Sequence, residues 1–416
     1  MRTFPYEVQF FCCTNWNQSV EKLQEAAQFF TAQDALSVGG IQGETGIPGL
    51  KIDFNNGIRL QVPAGNWHVI IGDNDSGMSF YDQDVSEALI ISMEKYYVHW
   101  QIEVFLDGEL VFAHIFNPVG QKIRLNFNSK FLGDMLSFLS YVPFVRDKWE
   151  ADVYCTIDDS MKGVFQRLLP EIRLREEAEE NTYATFYFNA SIDFPGWMPM
   201  DGRMVSMVHT GRIILGLPEL PPKLRWTPGP RTIEEPYVCI GVQGSSVEKG
   251  WLYPDGWEEL TAYLKEKGYR VLCIDRDKRL QEGRFVLEMP KGAEDFTGNR
   301  SLVERMDMLH YADFFVGLSS GLSWLAWTAD CPVVMIAGFT AYWYEFFTPY
   351  RVYNRLACNG CYNDVRLYWK NNPCARQEKG SENEMQCSTR ITPRMVMEAV
   401  DRLIADKREG KLPAYA

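Results

Sequence analysis

Histidine is scarce in this chain: five among 416 residues, and none in its cysteine-rich C-terminal stretch. A mixed Cys/His metal finger is thereby excluded there, so any metal would be held by sulfur alone. Basic charge is also short. Lys and Arg number 42 against 55 Asp and Glu, a net charge of −13. That balance argues against a nucleic-acid or anionic-membrane partner, since both select basic patches. It leaves room for a local basic pocket for a phosphorylated ligand. Long apolar runs are missing too. The one stretch of near-spanning length, 320–339, is broken by Asp330-Cys331-Pro332 and reads as a buried helix, a turn and a buried strand, so no membrane span is expected. No signal-peptide pattern opens the chain, because Met1-Arg2 is followed by Glu7 and only a short apolar patch. No internal repeat is evident. The expectation is a cytoplasmic protein.

What is present points to an ordered, multidomain molecule. Hydrophobic residues make up 46% and aromatics 14%. The length suits two or three domains rather than one core. Ten cysteines occur. Six of them (Cys12, Cys13, Cys155, Cys239, Cys273, Cys331) lie scattered in apolar runs and read as small buried hydrophobes. The other four form a pattern: Cys358 and Cys361 make a CxxC pair, and Cys374 and Cys387 follow, each after twelve residues. Four thiolates satisfy a tetrahedral soft metal, zinc or iron; four unpaired thiols or two disulfides are the alternative readings. The residues between them, among them Asn359, Gly360, Asn371, Asn372, Pro373 and Gly380, are poor core-formers, so ligation would supply their order.

Residues 1–45 read as an N-terminal extension, with an amphipathic helical pattern over 20–33. From residue 46 the period changes to two. Leu50–Phe54 and Ile58–Val62 alternate around Asn55-Asn56-Gly57, Trp67–Ile71 is another strand, and Val98–Phe105 and Leu110–Phe116 flank Asp107-Gly108. Residues 46–117 are therefore expected to form a small antiparallel β domain with exposed edges. Residues 118–225 begin a βαβ regime: a strand 123–127, an apolar helical stretch 135–144, a strand 151–157 and a further strand 183–190. The proline-rich run 217–230 reads as an interdomain linker. A second βαβ series fills 226–355, a metal segment 356–390, and a C-terminal helix 391–416. Two doubly wound α/β domains leave a cleft at the carboxyl ends of their strands, where nucleotides bind.

Three places carry chemistry suited to that cleft. Gly244, Ser245 and Lys249 lie in a Gly/Ser loop after a strand, and Lys249 offers a charge for a diphosphate. Ser319, Ser320 and Gly321 stand between a strand and a helix start, where backbone N–H groups attract phosphate oxygens. Capping alone would equally account for those serines. Gly133-Asp134 opens a helix in the first βαβ unit, and Asp134 suits a general base for an acceptor hydroxyl.

Gly133-Asp134, Lys249-Gly250-Trp251, Phe296-Thr297-Gly298 before Ser301, and Gly317 with Ser320-Gly321 together resemble the ADP-heptose-dependent glycosyltransferases. The β domain before them and the four cysteines after narrow the resemblance to the bacterial autotransporter heptosyltransferases, over roughly residues 44–410. That resemblance implies a glycosyltransferase B fold of two Rossmann-like domains, an N-terminal β-barrel-like domain and a four-cysteine metal finger. It implies transfer of heptose from ADP-heptose to serines of an autotransporter adhesin passenger domain. Asp134 falls on the catalytic aspartate. Lys249 falls on the diphosphate-binding lysine, and Gly244, Ser245, Thr297, Ser319, Ser320 and Gly321 fall on the donor loops. Cys358, Cys361, Cys374 and Cys387 fall on the ligands of a structural iron, Fe3+, one per subunit. The resemblance also implies a homo-oligomer, a dodecamer. Related lipopolysaccharide enzymes carry an aspartate and a histidine where this chain has Ser319 and Trp324, which argues against a lipopolysaccharide acceptor. A transferase using another nucleotide sugar or a glycolipid acceptor shares every motif, whereas the presence of both Asp134 and Lys249 argues against a non-catalytic sugar-nucleotide-binding scaffold.

Overall fold

The computed structural model of the protein describes residues 10–14, 40–92, 96–127, 131–188, 201–367 and 374–412. The helical pattern expected over 20–33 lies outside them. Within these residues two large sheets carry the fold.

The first sheet has eight strands in the order Phe10–Thr14, Ala88–Ser92, Gly57–Val62, Lys51–Asn55, Ala184–Tyr187, Lys122–Phe127, Asp152–Ile157 and Arg173–Leu174. Its first four strands pair antiparallel and its last four parallel. The two halves join where Lys51–Asn55 runs parallel to Ala184–Tyr187. The antiparallel strands expected over 46–117 are present, and part of them continues the parallel sheet. The hairpin Lys51–Asn55/Gly57–Val62 is buried on both faces and extends the Rossmann-like sheet. Only Met78–Val85, Trp67–Asp73, Trp100–Leu106 and Glu109–Ile115 form a sheet of their own. The physical reason lies in the strand patterns. Ile52, Phe54, Ile58, Leu60 and Val62 line one face, and Asp53, Asn55 and Arg59 on the opposite face are buried as well, so both faces are covered, which a one-sided sheet does not allow. Trp67, Val69 and Ile71 alternate with more exposed partners, as a one-sided sheet requires.

The helical stretch read over 135–144 is two helices, Leu132–Phe138 and Tyr141–Lys148. Pro143 explains the break, because its ring would clash with the carbonyl of Leu139 in one continuous helix.

The second large sheet is parallel throughout, in the order Glu294–Asp295, Arg270–Cys273, Tyr237–Ile240, Phe315–Leu318, Val333–Ile336 and Arg351–Val352. Its core strands are short buried apolar runs, the signature of strands covered on both faces. The C-terminal helix Pro393–Arg408 packs on one face through Val396, Val400 and Leu403, with Thr392 capping its first turn. The proline-rich run between the halves is pinned rather than loose. Asp307 accepts from Trp226 Nε1 at 2.9 Å and from the Gly229 amide at 3.0 Å, and pairs with Arg167 across the halves.

The two halves meet through glycines. A Cβ on Gly133 would stand 2.9 Å from Trp324 Cδ1, and one on Gly321 would stand 2.8 Å from Leu132 Cβ. The helices Leu132–Phe138 and Gly321–Thr328 can approach this closely only because both positions lack a side chain. Gly133→Ala is therefore expected to destabilise the protein by about 1–3 kcal/mol through overpacking against a buried indole. Thermal unfolding of the variant checks this, and an unchanged midpoint would show that the crossing yields freely.

Candidate active site

The loops that the sequence suggests for a diphosphate stand at the carboxyl ends of the parallel strands. Tyr237–Ile240 leads to Gly244, Ser245 and Lys249. The loop folds back on itself, since a Cβ on Gly244 would lie 2.8 Å from Lys249 Cβ. Val247–Lys249 form a 3-10 turn. No ion pair or hydrogen bond engages the Lys249 ammonium among the described residues.

A residue that sequence reading passed over organises this loop. Asp275, just beyond Arg270–Cys273, is 2% exposed. Its carboxylate accepts from the Val242 amide at 2.7 Å and the Gln243 amide at 3.2 Å. Burial raises its pKa to about 6, against the pull of those amides. Arg305, also buried, donates to the carbonyls of Asp275 at 3.1 Å and Gly298 at 2.6 Å. It thereby fixes the turn that carries Thr297, whose hydroxyl bonds Asp295 at 2.6 Å. A charged residue closing an apolar strand, as in Val271-Leu272-Cys273-Ile274-Asp275, was the available signal.

Ser319, Ser320 and Gly321 link Phe315–Leu318 to the helix Gly321–Thr328. The two serines differ. Ser319 turns inward and donates to Glu345. Ser320 is the N-cap residue, extended at φ −146°, yet its side chain caps nothing. Its buried hydroxyl has no hydrogen-bond partner. The simple capping explanation is thus not what the geometry shows.

Asp134 lies half-buried in the first turn of Leu132–Phe138, next to the residues that touch Trp324 and Gly321. The openings of the helices Leu132–Phe138 and Gly321–Thr328 are therefore neighbours. Two phenols adjoin it. Tyr344 and Tyr362 share a hydroxyl contact at 3.1 Å. Burial pushes the Tyr362 phenol up to about 12, with the charge of Asp134 contributing, and acts in the same direction on Tyr344.

Tyr362 belongs to the cysteine segment, which reaches both sides of the site. Asn363 Nδ2 bonds the Arg203 carbonyl at 2.8 Å. Ser388 Oγ donates to the Gly250 carbonyl at 2.6 Å and accepts from the Leu252 amide at 2.7 Å. Cys358, Cys361, Cys374 and Cys387 are gathered in one place: burial first, then the other three thiols, raise Cys387. Burial and its cysteine neighbours likewise push Cys361 up to about 11. Among the described residues, however, no three His, Cys, Asp or Glu side chains stand close enough to hold a metal ion. The four-sulfur cage expected from the sequence is gathered but not closed. The donor set itself, four soft sulfurs from one segment, fits iron or zinc.

Residues 46–108 match the family model described as glycosyltransferase TibC, N-terminal domain, and residues 222–367 match glycosyltransferase family 9 (heptosyltransferase). The autotransporter heptosyltransferase Aah of Escherichia coli is 38% identical over 361 residues, 84% of this chain and 91% of that protein. The crystal structure of TibC, a dodecameric iron-containing heptosyltransferase in complex with ADP-D-beta-D-heptose, is 33% identical with a TM-score of 0.80, covering 86% of this chain and 96% of that one. A more distant protein from Burkholderia thailandensis, the inactive autotransporter heptosyltransferase BimC, is 28% identical over 86% of both chains. Two α/β halves with these matches define a glycosyltransferase of the B-type fold. More particularly, the chain belongs to the autotransporter heptosyltransferase family.

Proposed function

We propose that this protein transfers heptose from ADP-heptose, with inversion, to serine hydroxyls of an autotransporter adhesin passenger domain. The observation that carries this reading is the glycine crossing of Leu132–Phe138 on Gly321–Thr328, which sets Asp134 beside the donor turn. Asp134 takes the proton of a serine hydroxyl as that oxygen attacks the anomeric carbon. The bond from that carbon to the diphosphate breaks, and ADP leaves with the electron pair. Lys249, the first-turn N–H groups of Gly321–Thr328 and the Ser320 hydroxyl meet the charge that develops on the departing diphosphate.

A structural iron held by Cys358, Cys361, Cys374 and Cys387, one per subunit, accords with the donor chemistry, and TibC is described as iron-containing. When bound, it supplies cross-linking of the segment and neutralises the thiolates. Assembly into a dodecamer is proposed on the likeness to TibC. The open edge strand Glu109–Ile115, with Leu110, Val111 and Ile115 exposed, suits contact with other subunits or with the adhesin. No helix among the described residues is long and apolar enough to cross a membrane. A cytoplasmic setting accords with the likeness to autotransporter heptosyltransferases.

Intact-mass analysis of a co-expressed passenger, with and without ADP-heptose synthesis, tests the proposal. A passenger of unchanged mass in the presence of donor would overturn it. Lys249→Ala is expected to weaken ADP-heptose binding by roughly tenfold or more, since a charge-assisted contact to phosphate is lost. Calorimetry measures this, and an unchanged affinity would return Lys249 to the role of a solvated loop residue.

A further inference from the structure

Behind the donor turn sits a closed ring of buried polar side chains. Ser319 Oγ donates to Glu345 Oε1. The other carboxylate oxygen of Glu345 takes Arg351 Nη1 at 2.7 Å. Arg351 Nη2 reaches Thr340 Oγ1 at 2.9 Å, and Thr340 Oγ1 donates back to Ser319 Oγ at 3.0 Å. The Glu345 and Arg351 side chains are 2% and 7% exposed. A buried ion pair is a poor stabiliser, since apolar residues of like volume often do as well or better. Stability alone therefore does not account for this pair.

The ring acts on its neighbour. It holds Ser319 inward, and the next hydroxyl, Ser320 Oγ, is left buried and without a partner. An unsatisfied buried hydroxyl is destabilising unless a ligand completes it. We infer that Glu345 is a positioning residue for the donor diphosphate: it pins Ser319 so that the Ser320 hydroxyl and the first N–H groups of Gly321–Thr328 face the phosphate oxygens, while Arg351 cancels the charge that would otherwise stand behind an anion. The inference rests on the function proposed above and names part of the machinery that reading requires.

The sign of each charge makes it testable. Arg351→Met leaves a buried carboxylate behind the diphosphate and repels it. Glu345→Gln keeps an acceptor for Ser319 and leaves an uncompensated guanidinium, which attracts. ADP titration calorimetry on the full-length protein and its variants separates these effects. Arg351→Met is expected to bind ADP roughly tenfold or more weakly, and Glu345→Gln at least as tightly as the wild type. The double variant, neutral again, is expected to regain most of the lost affinity. A ring that merely held the fold would leave the double variant as weak as Arg351→Met or weaker, which would overturn the inference. Ser319→Ala keeps the ion pair and serves if Arg351→Met does not fold. It is expected to raise the donor KM several-fold with kcat held within about threefold, and an unchanged KM would overturn the inference. A wild type that fails to bind ADP sinks the proposed function itself, whereas equal affinities in all the proteins sink only the role given to Glu345.

Discussion

Asp134→Ala is expected to slow heptosyl transfer by roughly 10²–10⁴-fold while ADP affinity stays near that of the wild type. The split follows from where the residue stands. Asp134 belongs to the helix Leu132–Phe138 of the first half, and the diphosphate loops belong to the second. Tyr344 and Tyr362, buried beside it, have phenols whose pKa values its charge helps to raise, so the acid next to the base stays protonated at neutral pH. Asp134→Asn removes the base and keeps the shape, and it is expected to behave as the alanine variant does. Mass analysis of a passenger substrate reads transfer, and calorimetry reads ADP. Transfer near the wild-type rate by either variant would end the assignment. Loss of ADP binding equal to the loss of transfer would instead place Asp134 among the groups that hold the second half in position.

The parts of this fold that could be read from sequence are those fixed by local pattern. The parallel strands of the second half are short apolar runs, and two of its helices begin at side chains that do cap: Ser301 accepts from the Glu304 amide at 3.1 Å, and Thr392 from the Met395 amide at 3.4 Å. The turn Asp107-Gly108 adopts positive φ at both residues, as its hairpin demands. What local pattern does not carry is which sheet a strand joins. Lys51–Asn55 and Gly57–Val62 read as a hairpin and are one, but their membership of the large sheet depends on pairing with Ala184–Tyr187, far along the chain. Met78–Val85 escaped notice because it is an exposed edge strand, with Asp82, Gln83 and Asp84 in place of an apolar alternation.

The site divides in the same way. Lys249, Ser320 and Asp134 stand at strand ends and helix starts, positions that chain order reveals. Asp275, Glu345 and Arg351 act through partners distant in sequence, and their types do not announce a role. Ser319 looked like a ligand group from its place beside a helix start. Only its bond to Glu345, 26 residues away, shows that its side chain faces the protein.

Cys374→Ser is expected to remove the metal, loosen residues 356–390 and lower both assembly and solubility. The segment carries few apolar residues, so its order depends on cross-linking rather than on a core of its own. The loss is expected to spread in two directions. Through Ser388 and the Trp251 indole, which donates to the Ile391 carbonyl at 2.8 Å, it reaches the residues after Lys249. Through Asn363 and the contact of Tyr362 with Tyr344, it reaches the wall that carries Asp134. Removing a structural metal site costs on the order of several kcal/mol, so the effect should appear first as a lower unfolding temperature. Wild-type protein is expected to hold about one metal per chain, as a four-thiolate site requires. If that metal is ferric iron, a visible thiolate-to-iron charge-transfer band should accompany it and vanish in the variant. The chemical step itself should be spared in whatever fraction stays folded, because a site closed by four protein sulfurs leaves no position for substrate. Elemental analysis finding no metal in active wild-type protein would refute this account. So would a Cys374→Ser protein that keeps its fold and assembly and loses only turnover, since the cysteines would then belong to the reaction rather than to the frame that holds it.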